Sequence, residues 1–223
     1  SDSLGSLVFS GEGGSSASSA IDTTAAGDLW DNGSGFGSPP SAEAGNNSML
    51  YTLPSLMDDL TIKAGYSPGS AGGPSATSFS IGFTGVEGLS VDFGVGDTET
   101  IGTTAEQTVM KASYAFGSFT ISASNNEYDY SVNDGTQDDV ETSSYQLAYT
   151  VSDDLSISYG SETRDTATQT VDEEAEAINV SYTTGGVTIS ATQYEFSGKG
   201  NSNTESASTG DVERWALSAT FAF

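Results

Sequence analysis

The sequence predicts an all-β fold, an antiparallel up-and-down transmembrane β-barrel, on three observations. The last ten residues alternate strictly, with Trp215, Leu217, Ala219, Phe221 and Phe223 on one face of an extended strand and Arg214, Ala216, Ser218, Thr220 and Ala222 on the other. About twelve stretches alternate in this way, and the connections between them are short and long by turns. Phe83, Tyr114, Phe116, Phe119, Tyr149, Tyr182 and Phe221 fall beside the short connections or the C-terminus, where an interfacial aromatic girdle belongs.

In chain order, Ser6 to Ser10 is a short strand with Leu7 and Phe9 on one face. Gly11 to Asn47 carries no strand pattern and is rich in Gly, Ser, Ala and Asp. A loop of that length inside a compact domain is functional or disordered. Ile21, Leu29, Trp30 and Phe36 argue for the first, because a solvated linker has little use for them. Ser18 to Trp30 could close a short helical turn, and Asn32 to Pro40 must be irregular. From Ser48 the alternation is regular. Met49, Tyr51 and Leu53 form one apolar face, then Leu60, Ile62, Ala64 and Tyr66, then Phe79, Ile81 and Phe83, then Leu89, Val91, Phe93 and Val95. Met110 to Phe116 joins Phe119 to Ala123 across Gly117. Tyr145 to Val151 joins Leu155 to Tyr159 across Asp153 and Asp154. Ile178 to Tyr182 joins Val187 to Ala191 across Gly185 and Gly186. The long connections are Gly11 to Asn47, Ser67 to Ala76, Gly96 to Ala105, Glu127 to Val140, Asp165 to Glu174 and Ser197 to Asp211.

Composition agrees and excludes much else. The 223 residues suffice for one β domain, residues 1–223, and at 35% hydrophobic with Gly 27 they are too polar for a helical membrane protein. A barrel hides its membrane signal because every second residue faces water. Cys 0 and His 0 remove disulfides, thiolate metal sites and the commonest general base, so neither an enzyme nor an obligatory cofactor is expected. A net charge of -26 repels nucleic acid. Asn133 to Asp139 and Val171 to Glu176 are acidic enough to hold Ca2+ loosely. Neither has the ordered ligand spacing of an EF-hand, and solvated external loops account for both.

A short strand, a long Gly- and Asp-bearing loop containing Asp28, Leu29 and Trp30, a strand reading Met49-Leu50-Tyr51-Thr52 and a closing Phe223 together resemble the bacterial general porins, especially the alphaproteobacterial kind. In outer-membrane barrels Trp215, Phe221 and Phe223 would form the C-terminal assembly signal. The resemblance implies a Gram-negative outer membrane, contact with its lipid and lipopolysaccharide, and a homotrimer of sixteen-stranded barrels passing small hydrophilic solutes. It also implies that residues 11–47 fold inward as a constriction loop, and that this sequence starts in the fifth strand. Closure supports that register. About twelve strands would close at a backbone radius of roughly 12 Å, against roughly 16 Å for sixteen. A loop of about 35 residues would nearly plug the smaller barrel.

The second face of each strand is small and hydrophilic, as a water-filled channel requires. Lys63, Lys111, Arg164 and Arg214 all fall on it, whereas the loop carries Glu12, Asp22, Asp28, Asp31 and Glu43 and no base. Lys111 lies about five residues above its short turn, or roughly 13 Å, near mid-barrel, and is the base expected to face the loop acids. The expected function is therefore a passive diffusion channel with a weak preference for cations. The competing reading is a secreted or cell-surface acidic β protein that adheres through divalent cations. Extraction separates the two, since a barrel needs detergent and an adhesin should dissolve in chelator or urea.

Overall fold

The computed structural model describes residues 4–33, 36–42, 46–69, 74–100, 102–132, 137–198 and 211–221. It contains one antiparallel sheet of twelve strands in strict sequence order. These are β1 (Ser6–Ser10), β2 (Ser48–Thr52), β3 (Leu60–Ser67), β4 (Ser75–Val86), β5 (Leu89–Thr100), β6 (Thr103–Phe116), β7 (Phe119–Tyr130), β8 (Val140–Ser152), β9 (Leu155–Thr166), β10 (Glu173–Thr184), β11 (Val187–Ser197) and β12 (Val212–Phe221). Each strand pairs with its neighbours in sequence, and β1 and β12 stand at the two edges. Tight two-residue turns join β4 to β5, β6 to β7, β8 to β9 and β10 to β11 at one end of the sheet. Between β10 and β11, Gly185 and Gly186 both adopt positive φ, 55° and 80°, the conformation that a two-residue turn matched to strand twist demands.

The alternation sorts the side chains as expected. The face of Ile62, Phe93, Leu147, Ile189 and Leu217 is apolar and open, Leu217 to 78% of its surface. Along the short-turn end of that face, Tyr114, Phe116, Phe119 and Tyr149 stack in a continuous row, with ring centroids 5.6, 5.6 and 4.6 Å apart. Most buried wall residues, among them Val109, Gln107, Asn126, Ser144 and Glu162, lie on the other face.

One boundary is corrected. The sequence pattern places a long connection at Gly96 to Ala105, but the β5–β6 ladder runs without interruption to Thr100 opposite Thr103. The β6–β7 ladder likewise runs on to Ala105 opposite Tyr130. Apolar alternation stops where the lipid-facing band stops, whereas backbone pairing continues through Thr, Glu and Asp, because the ladder needs only N–H and C=O groups.

These polar extensions carry an unusual charge pattern on the face that bears the apolar band. Asp97 lies opposite Glu106 and Glu106 opposite Asp129. Glu127 lies opposite Glu141 and Glu141 opposite Asp165. Glu176 lies opposite Glu195 and Glu195 opposite Glu213. By alternation the four described bases point to the other face. Like charges placed directly opposite destabilise a sheet by roughly 0.2–1 kcal/mol per pair, so these six pairs cost about 1–6 kcal/mol in dilute salt. The thermal midpoint in detergent should therefore rise steadily from about 10 mM to 1 M NaCl, over which the Debye length falls from roughly 30 to 3 Å. A midpoint that falls or stays flat would mean that the carboxylates are already compensated.

Candidate functional site

Residues 11–33 and 36–42 lie along the polar face, with contacts from Ser78 on β4 to Arg214 on β12. Backbone donors of the segment meet wall side chains in turn. Ala17 N donates to Ser78 Oγ (2.7 Å), Ala25 N to Ser124 Oγ (2.9 Å), Ala26 N to Ser144 Oγ (2.9 Å) and Ala42 N to Gln107 Oε1 (2.8 Å). The wall donates in return. Ser124 Oγ reaches Thr23 O (2.9 Å), Gln146 Nε2 reaches Ala26 O (3.2 Å) and Asn126 Nδ2 reaches Pro40 O (3.0 Å). An irregular segment buried this way must find partners for its backbone groups, and the serines of the wall supply them.

The firmest anchor is Glu162 on β9, 4% exposed. Its two oxygens accept from Leu29 N (2.9 Å) and Trp30 N (3.0 Å). These N–H groups open a single 3-10 turn, Leu29–Asn32, whose preceding residue Asp28 sits in the left-handed region at φ 52°. A carboxylate at the start of such a turn satisfies donors with no intrahelical acceptor. The predicted helical turn thus resolves into two pieces, this one and a looser turn in which Ala20 N donates to Ser16 O and Ile21 N to Ser18 O.

Sterics fit the segment as closely as hydrogen bonds do. Gly94, Gly96 and Gly160 face it, and a methyl group on each would fall 2.8 Å from Ile21 Cδ1, 2.5 Å from Ala42 Cβ and 2.8 Å from Ala26 Cβ. A small apolar core fills the remaining space. Ala26 and Leu29 pack on Ala175, Ala177 and Phe196, with Phe36 and Tyr194 beside them. The Phe36 and Phe196 rings lie 5.0 Å apart. Val109, fully buried, sits with Ile21 around Gly94.

The charged residues take distinct places. Lys111 Nζ forms an ion pair with Asp22. Thr24, itself buried, donates its backbone N–H to Asp22 Oδ1 (3.1 Å) and its hydroxyl to Asp28 Oδ1 (2.7 Å). Asp22, Asp28, Asp31 and Glu12 are exposed. Arg164 pairs with Glu173 at 3.2 Å, and Glu173 also accepts from Gly37 N at 3.2 Å. Arg214 donates to Asn32 O. Lys63 is half-buried between its cross-strand partners Thr52 and Ser80. Trp215 and Phe221 are exposed on the apolar face, 67% and 58%. Glu43, Phe223 and residues 133–136 of the acidic stretch lie outside the described residues. Among the described residues, no group of three acidic side chains is placed to hold a metal ion.

A sequence profile of the Gram-negative porins matches residues 2–183. Comparison with curated protein sequences finds no match. Among solved structures, a porin refined at 1.8 Å resolution is 15% identical, with a TM-score of 0.66, over 99% of this chain and 78% of that one. The outer-membrane protein OmpT of Vibrio cholerae, with its loop L8 deleted, is 18% identical at a TM-score of 0.52 over 79% of this chain. An anion-selective porin from Comamonas acidovorans is 16% identical at 0.54 over 69%. The aligned part spans 62% of the OmpT chain and 49% of the Comamonas chain.

Proposed function

The chain belongs to the Gram-negative porin family, proteins of the outer membrane, and from that premise we propose that it forms a passive diffusion channel for small hydrophilic solutes and ions, with residues 11–47 as its constriction loop. The observation that carries this reading is the seating of that segment. Its backbone is bonded to the polar wall, and its acids Glu12, Asp28 and Asp31 are exposed. The chemistry then needs no catalytic group. A solute passes between hydroxyl-bearing strands and an acidic loop edge, exchanging its water for theirs.

Weak cation preference follows from how the bases are used. Lys111 is bound to Asp22, Arg164 to Glu173 and Arg214 to Asn32 O. Lys111 and Arg214 therefore stitch loop to wall, Arg164 is paired within the wall, and all three are engaged instead of facing passing ions. Among the described residues, Asp28 and Asp31 carry no such partner cation. Anion selectivity, which one similar porin has by name, would need the bases to be free. Sheet closure is part of the same proposal. In hydrocarbon the edges of β1 and β12 must be paired, and further strands completing a sixteen-stranded barrel pair them without crowding the loop. A homotrimer set in lipid and lipopolysaccharide is the assembly this reading carries with it.

The test is a reversal potential under a potassium chloride gradient. The intact channel should favour cations, and Asp28→Asn combined with Asp31→Asn should reduce that preference. Anion selectivity in the intact channel, or no change in the double variant, would remove the acidic loop edge from the account.

A further inference from the structure

Between the loop and the β8–β10 wall lies a small cavity whose polar chemistry the channel reading does not use. Its floor is one cross-strand row, Thr142 opposite Arg164 and Arg164 opposite Glu173. Its roof is Trp30, Phe36 and Gly37 of the segment. Three polar atoms of these lining residues are shielded from solvent and have no protein partner: Trp30 Nε1, Thr142 Oγ1 and Arg164 Nε. Thr142 itself is 3% exposed. Buried donors of this kind are rarely left unsatisfied, and three around one cavity point to a shared acceptor.

We propose that this cavity binds one ordered water molecule, which joins Trp30 of the loop to Thr142 and Arg164 of the wall. Size and charge both select water. The space open to a water's centre is about 10 Å3, about what a single molecule needs. The three donors alone would suit a halide equally well, but two carboxylates, Glu162 and Glu173, line the same space with only Arg164 to balance them. An anion would meet net negative charge. Water accepts from Trp30 Nε1–H and Arg164 Nε–H and returns its own two protons to Thr142 Oγ1 and to a carboxylate oxygen, so each of the three atoms gains a partner. The site extends beyond the channel reading, since it concerns how the loop is held whatever passes beside it.

The chain has two tryptophans, which makes the test direct. With Trp215→Phe, on the open apolar face, the only indole signal in 15N-tryptophan protein refolded in detergent is that of Trp30. Its Nε1–H should show a cross-peak to water of the sign given by a long-lived bound molecule. Thr142→Val, which removes the hydroxyl and keeps the shape, should weaken that cross-peak. Gly37→Ala should do the same, because a methyl there falls 2.7 Å from Arg164 Cζ and must displace the guanidinium. A crystal grown in sodium bromide supplies the second readout, and density for one oxygen within hydrogen-bonding distance of the three atoms supports the site. A bromide anomalous peak in the cavity, an indole N–H bonded to a protein acceptor, or an indole with no water cross-peak would each overturn it.

Discussion

Glu162→Ala is expected to release the proposed constriction loop from the barrel wall. The substitution leaves Leu29 N–H and Trp30 N–H without their acceptors in a site where Glu162 is almost wholly buried. At about 1–3 kcal/mol for each buried donor left unsatisfied, the seat should weaken by about 2–6 kcal/mol. The strands themselves should stand, because no ladder bond is touched. Current steps in a planar bilayer should become larger and noisier. A protease acting from the external side should cut between Thr23 and Gly37 faster than in the unaltered protein. Steps and cleavage indistinguishable from the original would show that Glu162 is not the anchor.

The second large effect lies on the opposite face. Phe93 belongs to an apolar row in which Ile62 faces Ile81, Ile81 faces Phe93 and Phe93 faces Met110. Phe93→Arg puts a guanidinium at mid-band against lipid, at a cost of about 2–4 kcal/mol. Ser90→Arg, three residues away on the polar face of the same strand, puts the same charge in water. Urea titrations in lipid vesicles should show the first variant strongly destabilised and the second nearly unchanged. Equal losses would mean that the apolar face does not meet lipid.

Why some of this is legible in the sequence and some is not follows from what each feature leaves in residue type. Period-two alternation records which residues meet lipid, so residue order alone assigns the two faces. The same parity puts Lys63, Lys111, Arg164 and Arg214 on one face. Strand ends are less legible, because the segment from Gly96 to Ala105 pairs its backbone through polar side chains that resemble those of loops. The seat of the loop is least legible. Alternation places Glu162 on the polar face, but its partners are backbone N–H groups, which any residue carries. Tyr194 and Phe196 do leave a signal, being out of phase with Val187, Ile189 and Ala191, and Val109 is out of phase with Met110. Bulky apolar residues on the wrong face of a barrel strand mark where something folds inward to cover them.

Single-channel recording with and without the loop tests the central claim most directly. Purified protein in a planar bilayer should give discrete, ohmic current steps. A variant with residues 15–41 replaced by a short Gly-Ser link should give distinctly larger ones, because the segment bonded to the polar wall no longer narrows the lumen. Absence of steps from the intact protein, or steps of the same size from both proteins, would contradict a channel constricted by its own acidic loop.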